Sequence, residues 1–532
     1  MLRKNLHFLL PSAAFLFWLC DLGNIEAIRQ GTEGFYLQVS KEVFQFKSWL
    51  VPMYLKQPHW SKPPFHFWLP QPFFIITGSS SLFLSRLSIL TTTFLLTFLI
   101  DLWSVKHLKF KRFLLFFVLL SSVGFLKYGR IYMMEMPLSL LTAYGALLFF
   151  QFLETNKARD LIFAVLITAM ANLVKGPVSF VMNFGGVFIY LGYEYFQNKR
   201  LSIMPYTMWI IGSLTIGSLW YLICYLKYGF EFIDYFFLRE NLGKFQSKSY
   251  PISSVINGLL IFSLPWTLFA PLLVNKKLFI EFWNTKINRF LFFHFIFFFV
   301  LWMIPSQRSH HYAMPAQPFF LMILTIVITY YKKTIKKRWL NLCQKSIVSL
   351  YLFFTFLLSL SLVFSEIRSD GISLLRLLIG VIVNAYSIHF IRKNINDIQK
   401  IAIFSFISFS YIWIFFAPVY YLPTIPTAII NQVKNHQVSV IFNKPYFLSE
   451  LLGKDVRVLN SSLIQADKSA PKNYYIMSQE MFEKHNFKDF LAIQSFWPIW
   501  RRGNKLKNIA HAFSQNSLKS LQQNMVLLIP LK

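Results

Sequence analysis

Just after its first apolar run, this 532-residue chain carries a polar stretch, Gly31-Thr32-Glu33-Gly34-Phe35-Tyr36, and then Ser61-Lys62-Pro63-Pro64. Acids, a lysine and paired prolines are costly neighbours for hydrocarbon, and residues of these types can do chemistry. Similar insertions recur at the ends of later runs: Gly129-Arg130 with Glu135, Lys175-Gly176-Pro177, Arg239-Glu240 with Lys244, and Arg308 with His310-His311-Tyr312. Several cations together hold a phosphate by charge-assisted hydrogen bonds, and a carboxylate deprotonates or orients a nucleophile. The set suits group transfer from a lipid-linked phosphosugar, in which the lipid phosphate leaves and a lysine or arginine stabilises the charge developing on it. Any one of these residues taken alone reads as an interfacial anchor. Their gathering on one side is what anchoring does not explain.

The elements that position them are membrane spans. Hydrophobic residues make up 55% of the chain, aromatic residues 19% and charged residues only 14%, too little polar material to cover a soluble globule. Apolar runs near 6–21, 86–105, 113–126, 136–153, 160–174, 177–194, 204–224, 255–274, 290–305, 312–331, 346–364, 372–391 and 401–421 predict about thirteen helical spans. The net charge of +31 is not a nucleic-acid signature, because the basic clusters at 106–112, 199–200, 276–289, 332–338 and 392–400 alternate with the runs. Under the positive-inside rule they mark cytoplasmic loops, with anionic lipid as counter-charge. Arg3-Lys4 ahead of the first run, with no A-x-A site after it, reads as a retained span that starts in the cytoplasm.

That topology puts three long segments outside, 22–85, 225–254 and 422–532. Within the first, the short apolar piece 65–76, carrying Pro70 and Pro72, predicts an interfacial helix. Residues 1–422 read as a transmembrane domain. Residues 423–532 read as a small α/β periplasmic domain with β-rich pieces at 438–442 and 456–459.

Cys20, Cys224 and Cys343 show no metal spacing, adjacent His310 and His311 do not share a helix face, and neither G-x-G-x-x-G nor G-x-x-x-x-G-K-[ST] occurs. No cofactor and no metal site is expected, nor a soluble nucleotide as donor.

The ordered motifs resemble the bacterial lipid A aminoarabinose transferases and the wider protein mannosyltransferase-like membrane glycosyltransferases of the C-type (GT-C) fold. That family has Asp-Glu-x-x-Tyr after the first span, then Glu-Lys-Pro-Pro, an acid after the third span, a Lys-Gly between spans, and a basic residue shortly before Tyr-x-x-Pro. Here these fall on Thr32-Glu33-Gly34-Phe35-Tyr36, Ser61-Lys62-Pro63-Pro64, Glu135, Lys175-Gly176-Pro177, and Arg308 to Tyr312 with Pro315. The stretch Tyr235 to Asn241 with Lys244, then Leu264-Pro265-Trp266, is similar to the family's loop between the seventh and eighth spans. The resemblance covers about residues 6–330 in order.

It implies an inverting glycosyltransferase of the inner membrane. The sugar would pass from undecaprenyl phosphate to an envelope acceptor, lipid A or lipopolysaccharide, on the periplasmic face. Lys62 would bind the donor phosphate, with Lys175, Arg308 and Lys244 as further candidates; Tyr36, Arg130, Glu240 and Tyr312 would contact substrate. The chain departs from the pattern at Thr32, Ser61 and Asn241, where the family has an aspartate, a glutamate and a histidine. A metal site built on the acid and histidine positions is therefore not supported, and the base is expected at Glu33 or Glu135, with Asp21 or Glu26 able to fold nearby. A lipid A phosphate, already ionised, would need no base. A transporter or flippase of lipid-linked or anionic substrates is the rival from another class, but charges at one face beside a long outer loop favour an enzyme.

Overall fold

Apolar runs whose ends carry Ser, Asp, Asn or Gly at the right places become helices with defined starts and stops. The computed structural model describes residues 2–24, 32–198, 203–241, 243, 249–331, 335, 337–394, 396–421, 427–441, 446–454, 456–459, 473–484, 490–500 and 506–531. The first half contains α1 (Leu2–Leu19), α2 (Thr32–Phe46), α3 (Phe65–Trp68), α4 (Gln71–Thr77), α5 (Leu82–His107), α6 (Leu114–Leu120), α7 (Val123–Tyr128), α8 (Glu135–Thr155), α9 (Ala158–Lys175), α10 (Val178–Asn198), α11 (Met204–Tyr228) and α12 (Phe230–Ile233). A π-helical turn, Asp234–Asn241, follows. Then come α13 (Ser253–Phe262), the 3₁₀ helix Trp266–Val274, α14 (Lys276–Trp283), α15 (Lys286–Leu301), the 3₁₀ turn His310–Ala316, α16 (Gln317–Tyr330), α17 (Lys337–Leu360), α18 (Ser365–Ser369), α19 (Gly371–Lys393) and α20 (Ile398–Tyr411).

The caps follow the local chemistry. Ser81 Oγ accepts the Leu84 amide at the start of α5, and Asp397 accepts the Gln399 and Lys400 amides at the start of α20. Buried Asp101 reaches across from α5 to take the Phe113 and Phe116 amides at 2.9 and 3.1 Å, fixing the start of α6. Asn156, left-handed at φ 53°, stops α8. Gly176, at φ 96° and followed by Pro177, stops α9.

Among the described residues seven helices are long and apolar enough to cross a membrane, or eight if α13 and Trp266–Val274, bent by 115°, make one broken span. Every expected run carries helix, so the chain is a polytopic α-helical membrane protein, yet several runs fall short as single spans. Run 113–126 is broken at Ser121-Ser122 into α6 and α7 of seven and six residues, each about 10 Å long against a hydrocarbon core of ~30 Å. Helix α9 carries Arg159, Asp160 and Lys175, and α15 has sixteen residues. Burial among neighbouring helices accounts for the apolarity of α6, every residue of which is buried.

The spans knit around aromatic contacts. Trp18 of α1 stacks on Phe406 of α20 at 5.7 Å and donates to Ser410 Oγ at 2.8 Å, and Phe149 of α8 stacks on Trp209 of α11 at 4.3 Å. The segment expected to hold one interfacial helix forms two, α3 and α4, separated at Leu69-Pro70.

In the C-terminal region α21 (Thr427–Lys434), α22 (Tyr446–Leu452), α23 (Gln479–Glu483) and α24 (Leu506–Ser514) accompany a sheet of β3 (Gln437–Ile441), β4 (Arg457–Leu459), β5 (Asn473–Ser478), β6 (Phe490–Trp500) and β7 (Gln522–Pro530). A hairpin in the first outer segment supplies β1 (Met53–Tyr54) and β2 (Gln57–Pro58). The strand order is β4-β3-β5-β7-β6, with β3 parallel to β4 and β5, and β7 antiparallel to β5 and β6. The two expected β-rich pieces are thus the parallel pair at one edge.

This region docks on the helices at two places. Glu450 pairs with Lys41 of α2, and the Tyr446 and Tyr54 hydroxyls meet at 2.8 Å. A Cβ on Gly34 would fall 2.4 Å from the Tyr446 ring, so only glycine lets α2 and α22 approach this closely. At the second dock Glu366 accepts from Ser517 Oγ and, at 3.1 Å, from the Leu518 amide. Leu358, Phe364 and Ile367 pack there with Ala512, Leu518 and Leu521.

Candidate active site

Glu135 is the first residue of α8, where unpaired amides favour a carboxylate. The 3₁₀ turn His310–Ala316 brings His311 Nε2 to 3.3 Å from Glu135 Oε1, and the Gly176 turn brings Lys175 Nζ to 3.6 Å from the same oxygen. His311 is oriented by its other nitrogen, 2.9 Å from Ser309 Oγ. Lys175 is boxed between the Trp302 and Tyr312 rings, with its ammonium 5.1 and 4.9 Å from their centroids, a cation–π arrangement. Among the described residues Glu135 Oε2 is buried without a hydrogen-bond partner. A buried carboxylate oxygen in that condition is costly and can accept from a substrate hydroxyl.

Lys62 is delivered from the other side. The turn Leu55-Lys56 between β1 and β2 has φ of 51° and 64°, and buried Glu42 captures its two amides at 2.9 and 3.0 Å. From β2 the chain passes His59, whose Nε2 lies 3.0 Å from Ser61 Oγ. Lys62 Nζ then donates to the Ser61 carbonyl at 2.8 Å and pairs with Glu240 on the π-helical turn.

Tyr36 links the halves. Its ring meets His66 edge-on at 5.2 Å. Burial first, then the charges of Glu135 and Glu240 and the nearby Tyr312, hold its phenol well above the usual range, so it is a hydrogen-bond donor. Burial likewise pushes the imidazoles of His59 and His66 down to about 3, so both are neutral. Neither nitrogen of His66 has a hydrogen-bond partner among the described residues. Within the same limit, no group of three His, Cys, Asp or Glu side chains is arranged to hold a metal ion.

No known protein-family profile matches the chain. Two uncharacterized proteins of Aquifex aeolicus are 26% identical to it. The first aligns over 330 residues, 61% of this chain and 63% of its own length; the second aligns over 340 residues, 62% of this chain and 74% of its own length. In structure the chain is similar to ArnT from Cupriavidus metallidurans bound to undecaprenyl phosphate, with TM-score 0.69 at 13% identity over 98% of both chains. It is also similar to the apo state of that protein, with TM-score 0.70 at 13% identity over 91% and 95%. The chain has the GT-C fold seen in ArnT.

Within this GT-C fold the residues singled out from sequence separate into two groups. Glu135, Lys175 and Tyr312 come together, as do Lys62 and Glu240, and the charges of Glu135 and Glu240 both raise the Tyr36 phenol. Glu33, expected as a candidate base, is fully buried, and Arg86 holds both its oxygens at 2.8 and 3.0 Å while the Tyr132 amide donates to it at 2.8 Å. Its carboxylate is committed to joining α2, α5 and the turn before α8.

Arg130, expected at substrate, donates to the Trp18 and Cys20 carbonyls at the end of α1. Arg308, expected at phosphate, donates to the Met303 and Tyr250 carbonyls at 2.7 Å each and so braces its own loop. Asp21 accepts from Asn24 at 3.0 Å. Lys244 and Glu26 lie outside the described residues.

Sequence reasoning passed over Arg86, His59 and His66, and did not single out Trp302 as a site residue. His66 stands four residues after Lys62 in the Pro-Pro motif, a position that could have drawn notice. In sequence Arg86 stands at the start of the apolar run 86–105 and looks like the end of a span.

Proposed function

We propose that the protein is a membrane glycosyltransferase that moves a sugar from an undecaprenyl-type polyprenyl phosphate to an envelope acceptor, lipid A or lipopolysaccharide, at the periplasmic face of the inner membrane. The observation that carries this reading is two cation–carboxylate pairs, Lys62 with Glu240 and Lys175 with Glu135, whose carboxylates both act electrostatically on the buried Tyr36 phenol. Residues 1–422 are the transferase body, and residues 423–532 are a periplasmic domain seated on it.

In this mechanism Lys62 receives the donor phosphate once Glu240 yields, and its ammonium neutralises part of the phosphate charge. An acceptor oxygen attacks the anomeric carbon from the side opposite the phosphate. The carbon–oxygen bond to phosphate breaks, its electron pair stays on the phosphate, and the anomeric configuration inverts. Glu135 Oε2 accepts the acceptor's hydroxyl proton, whereas an acceptor that is already ionised needs no base. Lys175 and His311 keep that carboxylate in place, and the rings of Tyr312 and Trp302 keep Lys175 in place.

The test is incubation of purified protein with undecaprenyl-phosphate sugars and lipid A, with mass spectrometry of the product. A mass increment on lipid A that disappears with Lys62→Ala is expected; no transfer to lipid A or to any envelope glycan would refute the reading. Lipid A and surface glycans from cells with and without the protein identify the acceptor.

A further inference from the structure

Helix α16, which follows the His311 turn, ends at a cavity that the proposed transfer does not use, and α8 ends beside the loop that helps to line it. Glu135 opens α8 and His311 precedes α16. At their far ends Gln151 lies 3.0 Å from His107, and the Tyr330 hydroxyl donates to the Leu108 carbonyl. The 21 residues of α8, rising 1.5 Å each, set the two ends about 30 Å apart. The cavity there encloses about 570 Å³, within the ~300–1,000 Å³ of ligand pockets.

Leu114, Phe269 and Ile401 supply an apolar wall, and Lys109, Lys111 and Lys393 line the same cavity. The loop that presents the first two lysines is held rigidly. Phe110 between them is buried and stacks on Tyr330 at 5.9 Å, while Lys109 and Lys111 are exposed. Lys109 and Phe113 both adopt left-handed backbone, at φ 56° and 65°, which is uncommon for such residues. Gln399 clamps the loop by donating to the Arg112 carbonyl at 2.8 Å. Asp397, the acid among the lining residues, is committed to the α20 amides. The remaining formal charge at the cavity is positive, beside hydrocarbon.

We propose that this cavity binds the phosphate headgroup of an anionic lipid, with the three ammonium groups around the phosphate and an acyl chain along Leu114, Phe269 and Ile401. Inorganic phosphate shares the headgroup chemistry; the apolar wall favours the lipid. The site lies at the other end of the bundle from the donor phosphate site and stands or falls independently of it.

The experiment is native mass spectrometry of the full chain released from nanodiscs of phosphatidylglycerol and phosphatidylcholine. Wild type should retain phosphatidylglycerol preferentially, and Lys109→Ala/Lys111→Ala/Lys393→Ala should lower that preference roughly tenfold or more. Lys276→Ala/Lys277→Ala, which removes exposed lysines elsewhere, should leave it unchanged. A second variant, Ile401→Trp, fills the wall while keeping every charge and should also release the lipid, with the melting temperature in detergent confirming that each variant is folded. Equal losses in the triple and control variants would overturn the proposal. So would displacement of phosphatidylglycerol by inorganic phosphate alone, or retention of the lipid by a folded Ile401→Trp.

Discussion

The Lys62 ammonium is held by the Glu240 carboxylate, an ion pair between the first outer segment and the π-helical turn Asp234–Asn241. π-Helical turns recur at functional sites, and this one places an anion on the lysine assigned to the donor phosphate. Glu240→Gln removes the competitor, so undecaprenyl phosphate should bind roughly threefold tighter, the modest size following from a partly exposed pair. Isothermal titration reads the effect. Weaker binding would make Glu240 a substrate contact and not a competitor.

Glu135→Gln keeps the shape of the side chain and removes its charge, leaving Lys175 and His311 without their carboxylate. Transfer to a hydroxyl acceptor should fall by about 10²–10⁴, with thermal unfolding in detergent showing that the variant is folded. A rate within a few-fold of wild type would remove Glu135 from the chemistry.

Glu33 should behave differently. Its bidentate pair with Arg86 is buried on both sides, and deleting one partner of such a pair costs about 3–5 kcal/mol. Arg86→Ala and Glu33→Ala should each lower the melting temperature much more than Glu135→Gln does. Thermal unfolding followed by tryptophan fluorescence distinguishes the two glutamates.

How far the sequence foretold this depends on distance along the chain. Glu135 and Lys175 were legible because each stands beside its own turn signal, Met136-Pro137 or Gly176-Pro177, between apolar runs. The strands at 438–442 and 456–459 were legible from β-branched runs close to where β3 and β4 form. The commitment of Glu33 was not, since Arg86 is 53 residues away and sits inside a run that reads as hydrocarbon. The Leu55-Lys56 turn was hidden too: two left-handed residues usually announce themselves as Asn-Gly, and here Glu42 of α2 stabilises the conformation from outside the hairpin.

The neutral histidines make acid stability predictable. His59 and His66 shift from an ordinary 6.5 down to about 3, chiefly through burial. The unfolded chain therefore binds protons that the folded one refuses, and the stability these residues contribute is complete above about pH 6.5 and drains away as pH falls toward 3. Melting temperatures measured across that window should fall steadily with acidification, and His66→Phe should flatten the slope. An unaltered slope in both His66→Phe and His59→Phe would contradict the assignment.

Gly34 tests the seating of the C-terminal region. Gly34→Ala drives a methyl into Tyr446, and overpacking of this kind costs about 1–3 kcal/mol. Adding Tyr446→Ala should recover much of that loss, a coupling that a double-mutant cycle measures directly.

The same Gly34–Tyr446 contact orders events in biogenesis. Helix α2 carries Glu33 and Tyr36, and its covering partner lies more than 400 residues downstream. While the chain is being inserted span by span, this face of α2, beside the proposed donor site, has nothing against it. Only after the last span is threaded and α22 has joined α2 can that wall close, so the end of the molecule proposed for the transfer is completed last.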